Sequence, residues 1–195
     1  MTTDDTIISG LPLPLSQLLR RAANAKAASD RLLTAYYAWE AALKLLGSVA
    51  IVEYAALDRR DGEIDNLLKN LARPTIGRWW EFVRRLVPVL AESGDAGFAE
   101  SRRLVLGRTR DDLPFAAGLD GALRETLGED GPTRATVRLT ELFNRLVDWR
   151  NRELGHGAAC QRGDDHGVKL GRTMFSGVRD LLGKVDVLAG RRLLF

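Results

Sequence analysis

Cysteine is nearly absent from this chain: Cys160 is the one thiol in 195 residues. That excludes an internal disulfide and points to a reducing compartment. Histidine is almost as scarce, with two in all. His156, Cys160 and His166 are the only set that could suggest a metal, but their spacing fits no standard zinc pattern and no fourth ligand stands nearby. Neither a metal nor a cofactor is expected. Cys160 lies in a Gly/Ala-rich loop, where a thiol is ordinarily incidental rather than nucleophilic. No apolar run approaches the ~20 residues that span a bilayer. The N-terminus carries Asp4 and Asp5 and lacks the basic and apolar regions of a signal peptide. A cytoplasmic protein without membrane association is the expectation. Internal repeats, low-complexity tracts and strand-period segments are missing too. With no strand to precede a Gly-rich phosphate loop, P-loop nucleotide hydrolysis has no support.

What is present is an ordinary globular composition, 45% hydrophobic and 28% charged. The length suits one domain with a real core. A formal charge of +3 is too small a surplus to imply nucleic acid by itself. The apolar periodicity is helical throughout. It predicts an all-α protein, a helical bundle of roughly five to seven helices.

Residues 1–14 read as a flexible or extended lead, because Leu11-Pro12-Leu13-Pro14 disfavours helix until Pro14 is passed. The helical domain then covers 15–190. A first helix is expected from Leu15 or Ser16 to Ala27. Ser29 or Asp30 would cap the second, Arg31 to Leu57, whose stripe is Leu33, Tyr36, Leu43, Gly47, Ile51 and Tyr54. Glu40 falls within that stripe and Lys44 at its edge. Asp61-Gly62 marks a turn, and Ile64–Leu71 a short helix. Pro74 suits the first turn of the next helix, which Pro88 should kink or end. Trp79 and Trp80 point about 100° apart, so one belongs in the core and the other at its rim. Helices follow at Ala96–Leu106 and Leu119–Leu127. Arg102, Arg103, Arg108 and Arg110 form a basic cluster that reads first as a solvated face and second as a phosphate contact. A last helix, Val168–Val187, turns Met174, Val178, Leu181, Leu182, Val185 and Leu188 inward. The apolar tail 191–195 is odd for a free end and reads as the cut edge of a longer protein.

The most informative stretch is Asp148-Trp149-Arg150-Asn151-Arg152-Glu153-Leu154-Gly155-His156-Gly157. It closes a helix capped by Thr133 and running to Leu154. Leu139, Leu142, Phe143 and Leu146 share one stripe, and Arg150 and Glu153 come next on it. A guanidinium there is costly to bury unless paired. Glu40 is the natural partner, on a second helix with an ionisable group where a hydrophobe belongs. Gly155 ends the helix, which sets His156 just beyond the partial negative charge of its last carbonyls.

Arg150, Asn151 and His156 together resemble the Arg-Asn-x4-His signature of the HEPN superfamily, small all-helical domains found in many prokaryotic ribonucleases, toxins and antiviral effectors. Glu40 and Lys44 have the Glu-x-x-x-Lys spacing that accompanies the motif in several of those ribonucleases. The resemblance implies a metal-independent endoribonuclease that leaves cyclic-phosphate and 5′-hydroxyl ends. It also implies RNA as substrate, a toxin–antitoxin or antiviral-defence setting, and a homodimer in which two Arg/His sets converge. In that reading Arg150 binds the phosphate, His156 transfers a proton, Asn151 positions and Glu40 holds Arg150. HEPN-like domains also occur as non-catalytic modules. The alternative is therefore a helical interaction, sensor or accessory domain with a protein partner or a fused effector domain. Here Arg150 and Glu40 would be only a buried ion pair, or Glu153 would pair with Arg150 and silence it.

Overall fold

Nine α-helices follow one another through the described residues of the computed structural model, which are 3–109, 113–130, 135–154 and 165–188. They are α1 (Thr3–Gly10), α2 (Leu13–Asn24), α3 (Ala28–Ala55), α4 (Gly62–Leu68), α5 (Ile76–Glu92), α6 (Ala96–Leu106), α7 (Ala116–Leu127), α8 (Leu139–Trp149) and α9 (Asp165–Leu182). The all-α expectation holds: among the described residues there is no strand, only a single antiparallel bridge between Arg108 and Arg138. No described helix is long and apolar enough to cross a membrane.

The 28-residue α3 is the hub, packed against α2, α5 and α9. Its residues Ala35, Tyr36, Ala38, Trp39, Ala42, Leu43, Leu46, Ala50 and Tyr54 are all buried. A helix apolar on this many sides can be satisfied only by neighbours all round. It begins at Ala28, so Ser29 and Asp30 lie in its first turn rather than capping it. Asp30 there still suits the positive end of the helix dipole.

Two proline expectations are corrected, and of the two outcomes open for Pro88 the end of the helix does not occur. Thr3–Gly10 is helical where the sequence predicts a flexible lead, and Ile8 is buried. The next helix starts at Leu13, with Pro14 inside its first turn. A first-turn proline is tolerated because its missing N–H would have had no helical partner. The helix α5 continues through Pro88 to Glu92, since Leu86, Val87 and Leu90 are all buried around it. Tertiary packing there outweighs one lost backbone bond.

Elsewhere the sequence reading is close. Asp61 and Asp95 cap α4 and α6 with side-chain bonds to the first free amides. Trp80 is buried and donates to Asn144 Oδ1 at 2.7 Å, while Trp79 is partly buried against the core. The inward set of the last helix, Met174, Val178, Leu181, Leu182, Val185 and Leu188, is buried. The tail 191–195 lies outside the described residues.

The start of α8 is not where Thr133 would put it. Thr133 lies outside the described residues, and the helix begins at Leu139, after an Arg138 that makes no side-chain cap. The end of α6 supplies the cap instead. Leu139 N donates to the Gly107 carbonyl at 3.0 Å, Thr109 N to Val137 O at 2.8 Å, and Val137 N to Thr109 Oγ1 at 2.9 Å. Gly107 has no room for a side chain: a Cβ would stand 2.2 Å from the Arg103 carbonyl oxygen. Gly107→Ala should therefore destabilise the protein by about 1–3 kcal/mol. Thermal unfolding would show it as a midpoint several degrees lower, and an unchanged midpoint would mean the α6–α8 junction relaxes freely.

Candidate functional site

The apolar stripe of α8 runs Leu139, Leu142, Phe143, Leu146 and then Trp149, all buried. Trp149 and Phe143 are also where α8 meets α3. The Trp149 ring lies 5.1 Å from that of Tyr36, and Phe143 lies 6.1 Å from Trp39 and 4.9 Å from Trp80, centroid to centroid. Large rings, rather than close backbones, join the two helices.

Beyond Trp149 the helix widens into a π-turn, Arg150–Leu154. Such turns insert an extra residue, redirect the side chains that follow, and occur often at functional sites. This one is anchored on both sides. Trp149 is sunk in the core and Leu154 is partly buried against it. Arg152 donates to the Leu127 carbonyl at 2.9 Å, where α7 ends on Gly128 in the left-handed conformation, φ 72°. Between these anchors Arg150 is half-buried and Asn151 is exposed.

The expected Glu40–Arg150 ion pair is not formed. The structure instead gives Glu40 to Lys44, with Lys44 Nζ 2.5 Å from Glu40 Oε1. The reason is geometric. The inward position one turn beyond Leu146 is taken by Trp149, which turns Arg150 to the margin. Lys44 is one turn from Glu40 on its own helix and nearly half exposed, so that pairing costs little desolvation. Among the described residues Arg150 itself reaches only Asn151 Oδ1, at 3.5 Å. No bond from Glu153 to Arg150 occurs among the described residues.

Glu40 and Arg150 nevertheless act on a common group, the Tyr36 phenol. Tyr36 is fully buried, and among the described residues its hydroxyl completes no well-formed hydrogen bond, although the Glu40 carboxylate lies within its reach. Burial pushes its pKa far above the ordinary tyrosine value; the Glu40 carboxylate it faces raises it further and the Arg150 charge lowers it. A buried phenol thus lies between a carboxylate–lysine pair and an arginine. Arg150 with its Asn151 amide on one side, and Lys44 held by Glu40 on the other, are the residue types that suit an oxyanion. His156, with Gly155, Gly157 and Cys160, lies outside the described residues, as does the side chain of His166.

Sequence reasoning missed a charge cluster built on a buried carboxylate. Arg145 on α8 bonds Asp120 on α7 at 2.6 Å and Glu129 at 2.8 Å, with Glu141 at 3.9 Å. Asp120 is 2% exposed. Its signal was visible: Asp120 shares a stripe with Leu123 and Leu127, the same anomaly that singles out Glu40. Burial raises the Asp120 pKa, against the lowering pull of Arg145 and Arg124. Burial also lowers that of Arg145, but Glu129 and Asp120 together hold it above the usual arginine value. The two shifts point opposite ways about one pair, and burial decides between them: Asp120 bears most of the desolvation, so the pair is held at a cost. In the basic cluster, Arg102 and Arg103 pair with Glu92 and Glu100 at 3.5 and 2.7 Å, a solvated face; Arg110 lies outside the described residues.

Comparison of the chain with protein-family models, with curated proteins and with solved structures returned no match.

Proposed function

We propose that the protein is a HEPN-like, metal-independent endoribonuclease of a bacterial toxin or antiviral-defence system, acting in the cytoplasm as a homodimer. The observation that supports this reading is the π-turn. It presents Arg150 and Asn151 at the margin of the bundle, with Arg150 close enough to act on Tyr36, and it ends at Leu154, immediately before Gly155-His156.

The chemistry follows from the residue types. The 2′-hydroxyl oxygen attacks the adjacent phosphorus and a P–O5′ bond breaks. His156 takes the 2′-hydroxyl proton. The departing 5′ oxygen is protonated by His156 of the second copy, leaving a 2′,3′-cyclic phosphate and a 5′-hydroxyl. Arg150 forks across the non-bridging phosphoryl oxygens as charge builds there. Asn151 orients the phosphate. Glu40 has a changed role: it holds Lys44, not Arg150.

One observation favours a second reading, a non-catalytic interaction or sensor domain. Among the described residues no carboxylate fixes the Arg150 guanidinium, and precise placement is what phosphoryl chemistry requires. The deciding experiment is digestion of total RNA and tRNA with a chelator present. Cleavage that survives chelation and leaves cyclic-phosphate ends is expected. A purified dimer that leaves RNA intact at high concentration would establish the interaction-domain reading instead.

A further inference from the structure

We propose that Tyr36 is a positioning residue of this same site: its hydroxyl takes over the Glu40 carboxylate when a phosphodiester draws Lys44 away. The inference rests on the oxyanion-binding part of the reading above and not on its catalytic part.

A fully buried hydroxyl that completes no well-formed bond among the described residues, with a carboxylate within reach, is unusual, because leaving a polar group unsatisfied inside a protein is costly. The ring cannot swing out to solvent to relieve it. Trp149, Trp39 and Tyr37 hold it at centroid distances of 5.1, 5.5 and 6.1 Å. Glu40 is one helical turn ahead on α3, on the side the hydroxyl faces. That carboxylate is committed to Lys44, whose side chain is 45% exposed against 17% for Glu40. The pair is therefore asymmetric. The lysine can leave for a polyanion in solvent, but the carboxylate stays in the protein.

Once Lys44 turns to a phosphate, Glu40 needs another donor. A hydroxyl bonded to a carboxylate makes a short, charge-assisted bond. Tyr36 can supply it because its environment keeps the phenol protonated. Arg150, which also acts on Tyr36, offsets the remaining negative charge on that side. In the ligand-free protein the hydroxyl stands within reach of Glu40 without a well-formed bond, and the full bond belongs to the ligand-bound state.

The test measures binding, not cleavage. A fluorescent single-stranded oligodeoxynucleotide, which lacks the 2′-hydroxyl, is titrated at low salt against wild type, Tyr36→Phe, Lys44→Met and the double variant. Tyr36→Phe should weaken binding about tenfold, the worth of a charge-assisted hydrogen bond, with a melting midpoint no lower than wild type. In the Lys44→Met background it should have no further effect, because the exchange has already been lost. Equal binding by wild type and Tyr36→Phe overturns the inference, as do losses that simply add, or a wild type that does not bind. If the coupling is seen but RNA is never cut, the catalytic reading falls and the inference stands. If RNA is cut but Tyr36→Phe binds like wild type, the inference alone falls.

Discussion

Arg145→Ala is expected to destabilise the protein by about 3–5 kcal/mol near neutral pH, the cost of leaving a buried charge without its partner. Asp120 is 2% exposed, and its nearest cation is Arg145 at 2.6 Å. Arg124 on α7 also lowers the Asp120 pKa, but Arg145 does so more strongly, and Glu141 across the interface raises it. Two relations identify the cause. First, adding Asp120→Asn to the alanine variant should recover most of the loss, because the stranded carboxylate is gone. Second, the loss should shrink in acid. Burial raises the Asp120 pKa above its ordinary value in the folded protein. A carboxylate raised in this way contributes stability that is present below its unfolded pKa and lost as pH rises through its folded one. Removing Arg145 widens that gap, so Arg145→Ala should lie closest to wild type at the acid end. Denaturant titrations at several pH values check both relations. A deficit independent of pH, and not relieved by Asp120→Asn, would assign the loss to side-chain packing.

His156→Ala is expected to lower RNA cleavage by roughly a hundred- to ten-thousandfold, the usual worth of a positioned proton-transfer group. The circular dichroism melt should barely move. Arg150→Ala should behave likewise, with a small stability change of about 0–1 kcal/mol, because Arg150 makes no ion pair to Glu40. This separates the site from the scaffold on one helix. Arg145, five positions earlier, should cost stability, whereas Arg150 should cost activity. Cleavage at the wild-type rate by His156→Ala would remove the imidazole from the mechanism. A large loss of stability in Arg150→Ala would show that the guanidinium is held in the core after all.

Much of the architecture was legible from periodicity. The bounds of α6, with Asp95 before it, are those of the Ala96–Leu106 pattern, and the inward face of α9 is the one its spacing predicts. These are local properties: a cap satisfies the amides next to it, and a 3.6-residue repeat marks the face that must leave water. The site was legible in part. Glu40 and Lys44 do pair, and Arg150 and Asn151 do stand together at the end of α8.

The chain alone thus determined that this is a helical protein, which faces of its helices turn inward, and where its anomalous charges stand. Only the tertiary structure decided what each charge meets. Periodicity says that a side chain points inward, but a partner is fixed by the helix across from it, and no local rule ranks those neighbours. Trp149 took the inward place that the stripe assigns to Arg150, the Gly107 carbonyl set the first turn of α8, and Asp120 found Arg145 across a different interface.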